Sequence, residues 1–319
     1  MGAEDYTPYI IVLAVLIAAI VGLGTAIFLH GRRRSSGHRV GPYDIEEVLS
    51  DAGGMARIFR ARHRRTGRFV ALKVLRSEYA RDPEAVRLFS QEGAHLRRFH
   101  EDRTTPKADL PIVFCYEHGM GRTGSGVTVP FIALELLPGM DLGKILNDNL
   151  RSRARLRPGH AVKVARQMAQ ALTAAMIVHR DLAGDNVMVL NDVYDIKMID
   201  FGVARTHASS TRSGASWGKP HYMSPEQIRN EDLDPRSDIY SIGVLLYFML
   251  EGRPPFNSEN FAEVLRMHEH EEPPPLSAEV PSSLSALLYS MLAKDRVDRP
   301  RSMVQLERSL AAIEAELAR

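Results

Sequence analysis

No charged side chain falls between Tyr6 and Leu29, and Ile10–Leu29 is an unbroken run of Ile, Val, Leu, Ala, Phe, Gly and Thr. Coiled as a helix, that run rises about 30 Å, the thickness of a bilayer's hydrocarbon core. From Tyr43 onward the pattern changes to strands. Ile45–Ser50 leads through a glycine turn to Arg57–His63, and a Thr66-Gly67 turn leads to Phe69–Leu75. Asp82-Pro83-Glu84 has the cap, proline and early acid of a helix start. In that helix Phe89, Glu92, Leu96 and Phe99 share one face. Pro158–Met176 reads as a helix with Val164, Met168 and Leu172 at every fourth place. Asp234–Leu250 is apolar nearly all round, which predicts a buried helix, and Gly252-Arg253-Pro254-Pro255-Phe256 ends it. Three more helices are expected near Phe261–His270, Ser282–Ala293 and Ser302–Ala318.

Charge decides how the first run is read. Met1–Asp5 carries Glu4 and Asp5 where a cleaved signal peptide wants Lys or Arg. Arg32, Arg33, Arg34 and Arg39 follow the run directly, so a membrane span with the N-terminus outside and the rest in the cytoplasm is expected. Met1–Tyr9 is then a short outer segment, Ile10–Leu29 the span and His30–Gly41 a basic linker. Those arginines set topology and can also lie on anionic lipid. Ala14, Ala18 and Gly22 stand four apart on one helix face, a spacing that lets two spans pack closely. The net charge of +2 excludes a nucleic-acid polycation. Cys115 is the only cysteine and sits in the apolar run Ile112–Tyr116, so no intrachain disulfide is possible.

The chemistry concentrates in Val178-His179-Arg180-Asp181-Leu182-Ala183-Gly184-Asp185-Asn186. An acid that can accept a hydroxyl proton stands five places before an amide that can ligate a metal. Asp200-Phe201-Gly202 follows, and Val70-Ala71-Leu72-Lys73 sets a lysine in an apolar strand. Glu92, in an apolar helix stripe, needs a counter-charge that Lys73 can supply.

These motifs resemble the H-R-D-L-x-x-x-N, D-F-G and V-A-I-K signatures of eukaryotic-type protein kinases, and more closely the bacterial Ser/Thr members. The resemblance covers roughly residues 42–310. It implies an α+β, two-lobed kinase domain over 42–319, with a small β-rich lobe at 42–137 and a mainly helical lobe at 138–319. It implies ATP and Mg²⁺ as cofactors and protein Ser/Thr as acceptors, and leaves room for self-association and autophosphorylation. By motif, Asp181 resembles the catalytic base, Asn186 the second-metal ligand and Asp200 the main Mg²⁺ ligand. Lys73 would grip the α- and β-phosphates, with Glu92 as its partner. Phe131–Gly139 resembles the last strand and hinge. Leu134 is then the gatekeeper, the backbone of Glu135 and Leu137 faces adenine, and Asp141 can reach the ribose. Ile58, Ala71, Gly53 and Gly54 complete the nucleotide site. Ser224-Pro225-Glu226 matches A-P-E, with Arg299 as the buried partner of Glu226. The activation loop is Val203–Trp217, where Thr206, Ser209, Ser210, Thr211, Ser213 and Ser216 are candidate phosphosites.

The chain departs from the pattern in several places. Of the family's three loop glycines only Gly53 survives, with Asp51 and Ala56 at the other two, and an acid at Asp51 is unfavourable beside phosphate. His100–Leu110 is a polar insertion. About three residues are missing between Ala171-Leu172 and the catalytic loop. The lysine usual two places after the base is Ala183, and the threonine usual in G-T-P is Lys219. Either Lys219 restores the missing cation from the facing side, or the site has drifted. A pseudokinase scaffold and a tyrosine or dual-specificity kinase are the alternatives. Tyr222-Met223-Ser224-Pro225-Glu226-Gln227 favours Ser/Thr.

Overall fold

The computed structural model describes residues 39–51, 54–101, 110–201 and 220–319. The expected membrane span, Gly53, the 102–109 part of the insertion, and the activation segment with Lys219 lie outside the described residues. Among the described residues no helix is long and apolar enough to cross a membrane.

Six antiparallel strands form the first sheet: β1 (Arg39–Val40), β2 (Tyr43–Ser50), β3 (Ala56–His63), β4 (Phe69–Leu75), β5 (Cys115–Arg122) and β6 (Thr128–Glu135). Their order in space is β1-β2-β3-β4-β6-β5. Register places one set of side chains together on a single face of this sheet. Ile58 pairs with Lys73 and Lys73 with Ile132, while Ala71 pairs with Leu134. Paired residues and their i+2 neighbours share a face, so Ile58, Ala71, Lys73 and Leu134 stand side by side. The opposite face closes over Tyr43, Ala61, Leu72 and Phe131.

Helix α1 (Pro83–Glu101) starts where expected: Asp82 accepts hydrogen bonds from the N–H groups of Glu84 (2.9 Å) and Ala85 (3.3 Å). Its apolar stripe buries Phe89 and Leu96. Gly93 lets it lie close on β5, because a Cβ there would sit 2.7 Å from the His118 Cβ. That approach brings the neighbouring Glu92 down to the sheet.

The second lobe opens with the short strand β7 (Met140–Asp141) and α2 (Leu142–Ser152), followed by α3 (Pro158–Ala175). Strands β8 (Val187–Val189) and β9 (Ile196–Met198) complete a small sheet in the order β7-β8-β9. Then come the short α4 (Pro225–Ile228), α5 (Pro235–Glu251), α6 (Phe261–His270), α7 (Ser282–Met291) and α8 (Met303–Leu317). Helix α5 is buried without a break from Ser237 to Glu251, as its all-round apolar pattern predicts. Asp234 caps it, Pro235 sets its first turn, and Gly252 ends it at φ 66°. A side chain at Gly252 would drive its Cβ to 2.3 Å from the Ala154 carbonyl, so glycine is required by space as well as by φ.

Helix α3 stops one residue before the expected Met176. Met176 takes the left-handed conformation at φ 51° and its N–H reaches back to the carbonyls of Leu172 (3.1 Å) and Thr173 (3.4 Å). The helix thus ends at this left-handed turn, and Ile177 leads directly into the stretch 178–186.

Candidate active site

Lys73 projects from β4 between two carboxylates. Its Nζ lies 2.6 Å from Glu92 Oε1 on α1 and 3.5 Å from Asp200 Oδ1 beyond β9. All three side chains are mostly buried, at 13 %, 9 % and 26 % exposure. A lysine taken out of water needs such compensation. The trio therefore fixes α1 against the sheet and ties the first lobe to Asp200.

The catalytic stretch hangs on the buried helix α5. Asp238 is buried in that helix, and its carboxylate accepts the backbone N–H groups of His179 (2.7 Å) and Arg180 (3.0 Å). Burial pushes the Asp238 carboxyl above its ordinary value, against the pull of His179 and the two backbone hydrogen bonds. Arg180 sits at φ 66°, a left-handed turn that aims the chain at Asp181. The Asn186 amide nitrogen donates to the Asp181 carbonyl at 2.8 Å, so the amide oxygen is what Asn186 can offer a cation. The His179 ring nitrogen Nε2 bonds the Asp200 carbonyl, and the ring packs 6.1 Å from that of Phe201, itself buried. Asp181, Asn186 and Asp200 are thus tied to one scaffold.

Two glycines that sequence reading passed over bring α2 to this loop. A Cβ on Gly184 would lie 2.8 Å from both the Cα and the N of Gly143. Asp141, expected at the ribose, caps α2: its carboxylate accepts the Lys144 N–H at 2.8 Å and pairs with the Lys144 ammonium at 2.9 Å. Lys144 is largely exposed, so this pair is screened by solvent.

At the hinge, the Glu135 N–H donates to the Phe114 carbonyl at 2.9 Å. Its side chain accepts the Phe114 N–H at 2.6 Å and pairs with Lys197 of β9, a link between lobes with no sequence signal beyond two unremarkable charges. Asp51 is less of an obstacle to phosphate than its charge suggested. Arg57 (2.7 Å) and Arg76 (2.5 Å) both bond its Oδ1, and the Arg57 hydrogen bond leads in holding its carboxyl below the usual aspartate value.

The donors fit Mg²⁺. That ion takes hard oxygens from one or two side chains and the rest from phosphate and water, and Asp200 with Asn186 is such a set. Among the described residues no group of three His, Cys, Asp or Glu could hold a metal by itself. Ile58, Ala71, Lys73 and Leu134 share one face of the sheet, and Glu135 ends β6.

On the peptide side, Ser224 opens α4 with a capping box. Glu226 and Arg299 form a two-pronged buried ion pair at 2.7 and 2.9 Å, as the motif match implied.

A curled sheet and helical lobe meeting at a lysine–acid–acid trio, a loop acid and a loop amide define a phosphotransfer fold of two lobes. The chain belongs to the protein kinase domain family, whose model matches residues 51–309. It is 33% identical over 294 residues to the serine/threonine-protein kinase Pkn3 of Myxococcus xanthus, an alignment covering 87% of this chain and 51% of that one. It is 32% identical over 281 residues to the serine/threonine-protein kinase PknB of Mycobacterium tuberculosis, covering 85% of this chain and 42% of that one. The chain thus spans about half or less of the length of these curated relatives. Among solved structures, the kinase domain of Mycobacterium tuberculosis PknI matches with a TM-score of 0.61 at 25% identity, over 88% of this chain and 98% of that one.

Proposed function

We propose that this chain transfers the γ-phosphoryl group of ATP to serine or threonine of proteins, from a membrane anchor at Ile10–Leu29 with the kinase domain in the cytoplasm. The observation that carries the reading is Lys73 held between Glu92 and Asp200, within a fold that also presents Asp181 from the same loop as Asn186. Lys73 would hold the phosphates in line. Asp181 would accept the proton of the attacking hydroxyl, and Leu134, Ala71 and Ile58 would exclude water around the adenine ring. Bound Mg²⁺, held by Asp200 and Asn186, would neutralise charge on the phosphates. Incubating the purified full chain with labelled ATP and Mg²⁺, then mapping phosphosites, tests this. Label on Ser or Thr supports it; label only on tyrosine, or none with nucleotide bound, sinks it.

The absent lysine at Ala183 bears on the same reading, and we propose that Lys219 supplies that cation. Transfer depends on charge stabilisation, and losing one such donor costs about 10²–10³ in rate. Lys219→Thr is expected to lose about that much with little change in nucleotide affinity, and Ala183→Lys added to it is expected to recover a substantial part. Neighbouring substitutions couple, so the double variant is measured rather than summed. An unchanged rate in Lys219→Thr ends the idea and favours a drifted site.

A further inference from the structure

The side-chain amide of Gln227, in the first turn of α4, faces two ways. Its oxygen accepts from the Ser224 N–H (3.0 Å) and the Ser224 hydroxyl (3.1 Å), closing the helix cap. Its nitrogen donates to the carbonyl of Arg180 at 2.7 Å. Arg180 immediately precedes Asp181 and is held in the left-handed region at φ 66°. Its N–H is taken by Asp238 on α5. The residue before the catalytic acid is therefore pinned at both ends, from the core by a carboxylate and from the peptide side by an amide.

The second bond carries directional information. The Arg180 carbonyl and the Asp181 N–H belong to one planar peptide unit. Fixing that carbonyl fixes the plane from which the Asp181 side chain departs. A left-handed non-glycine residue is strained and persists only where its surroundings hold it. A small pocket of about 20 Å³ is lined by Asp181 and Leu182 together with Tyr222, Met223 and Gln227, and the Gln227–Arg180 hydrogen bond lies at its edge.

We propose that Gln227 is a positioning residue that ties the peptide-side segment to the catalytic carboxylate. Seating an acceptor along Pro220–Pro225 steadies α4, and the Gln227–Arg180 bond passes that order to Asp181. This rests on the kinase reading above.

Gln227→Glu separates the two halves of the amide. A carboxylate still accepts from Ser224, so the cap survives, but it cannot donate to the Arg180 carbonyl. Using the peptide mapped in the labelling assay, kcat is expected to fall about three- to tenfold, the size of one net neutral hydrogen bond. KM for ATP and KM for the peptide should stay within about twofold, because neither binding surface loses a contact. Hydrogen exchange on the loop 179–187 provides a readout that needs no activity. It should speed up in Gln227→Glu relative to the parent. Parental exchange in Gln227→Glu overturns the proposal whatever the activity. So does a loss confined to the peptide KM. An inactive parent with the expected exchange pattern would instead count against the kinase reading alone.

Discussion

Asp181→Asn is expected to slow phosphoryl transfer by about 10²–10⁴ while nucleotide affinity stays near parental. The split follows from the geometry. Asp181 sits on the loop, whereas the lysine expected to grip phosphate is held separately by Glu92 and Asp200. Asparagine matches aspartate in shape, and the bond that Asn186 makes to residue 181 uses its carbonyl, so the loop should keep its path. What is lost is an acceptor basic enough to take the hydroxyl proton. Single-turnover rates with saturating ATP, alongside titration of a non-hydrolysable analogue, separate the two quantities. Equal rates in variant and parent would show that another group takes the proton. A matching collapse in analogue binding would show instead that Asp181 supports the pocket rather than the chemistry.

Arg299→Leu is expected to cost about 3–5 kcal/mol of stability, because it strands Glu226 as a buried, unpaired charge. The two side chains are 0% and 1% exposed, and Arg299 also donates to the carbonyls of Ala293, Arg236 and Lys294. Adding Glu226→Gln should recover a substantial part of the loss, since a neutral amide is cheaper to bury than a carboxylate. The pH dependence provides a second check. In the parent, burial pushes the Glu226 carboxyl up, but the Arg299 hydrogen bonds and charge outweigh it and leave it below the ordinary glutamate value. Its contribution is therefore present above about pH 4.5 and is lost as pH falls through the folded value. In Arg299→Leu the folded value should rise instead, so the penalty applies at neutral pH and relaxes in acid. The stability gap between parent and variant, measured by urea unfolding, should narrow as pH falls from neutral towards about 4.5, where the variant's penalty relaxes, and further below it, where the parent loses the pair. A gap that stays constant down to pH 3 would assign the loss to packing and carbonyl bonds, not to charge.

The parts of this site that sequence made legible are those whose chemistry is unusual for their surroundings. A glutamate inside an apolar helix stripe and a lysine inside an apolar strand each ask for a partner, and Glu92 and Lys73 meet at 2.6 Å. Glu226 and Arg299 were joined only by motif, and the buried pair is there. Less legible were residues whose roles depend on backbone. Asp238 stood visible as a charge in an apolar helix, yet nothing in that pattern says it binds the N–H groups of His179 and Arg180. Gln227 resembles any polar residue after a helix cap. Gly143 and Gly184 carry no side chain to reveal that they touch. Early termination at Met176 depends on a left-handed turn, for which Met gives no cue. Asp51 and Asp141 were legible as acids but not as charges already engaged by Arg57, Arg76 and Lys144, because long side chains choose partners in space.

The segment 111–113, which leads into β5, finds its backbone partners in β9 of the other lobe: Met198 N–H donates to the Pro111 carbonyl, and Val113 N–H to the Met198 carbonyl, each at 2.9 Å. Ile112 and Val113 are 2% and 1% exposed in the finished fold. On a ribosome adding about 5–20 residues per second, the emerging first lobe waits roughly 4–17 s between residue 113 and residue 198. Through that interval an apolar edge with unpaired amides stays open to water and to neighbouring nascent chains. The seconds before β9 arrives are the window in which a chaperone would have most to protect.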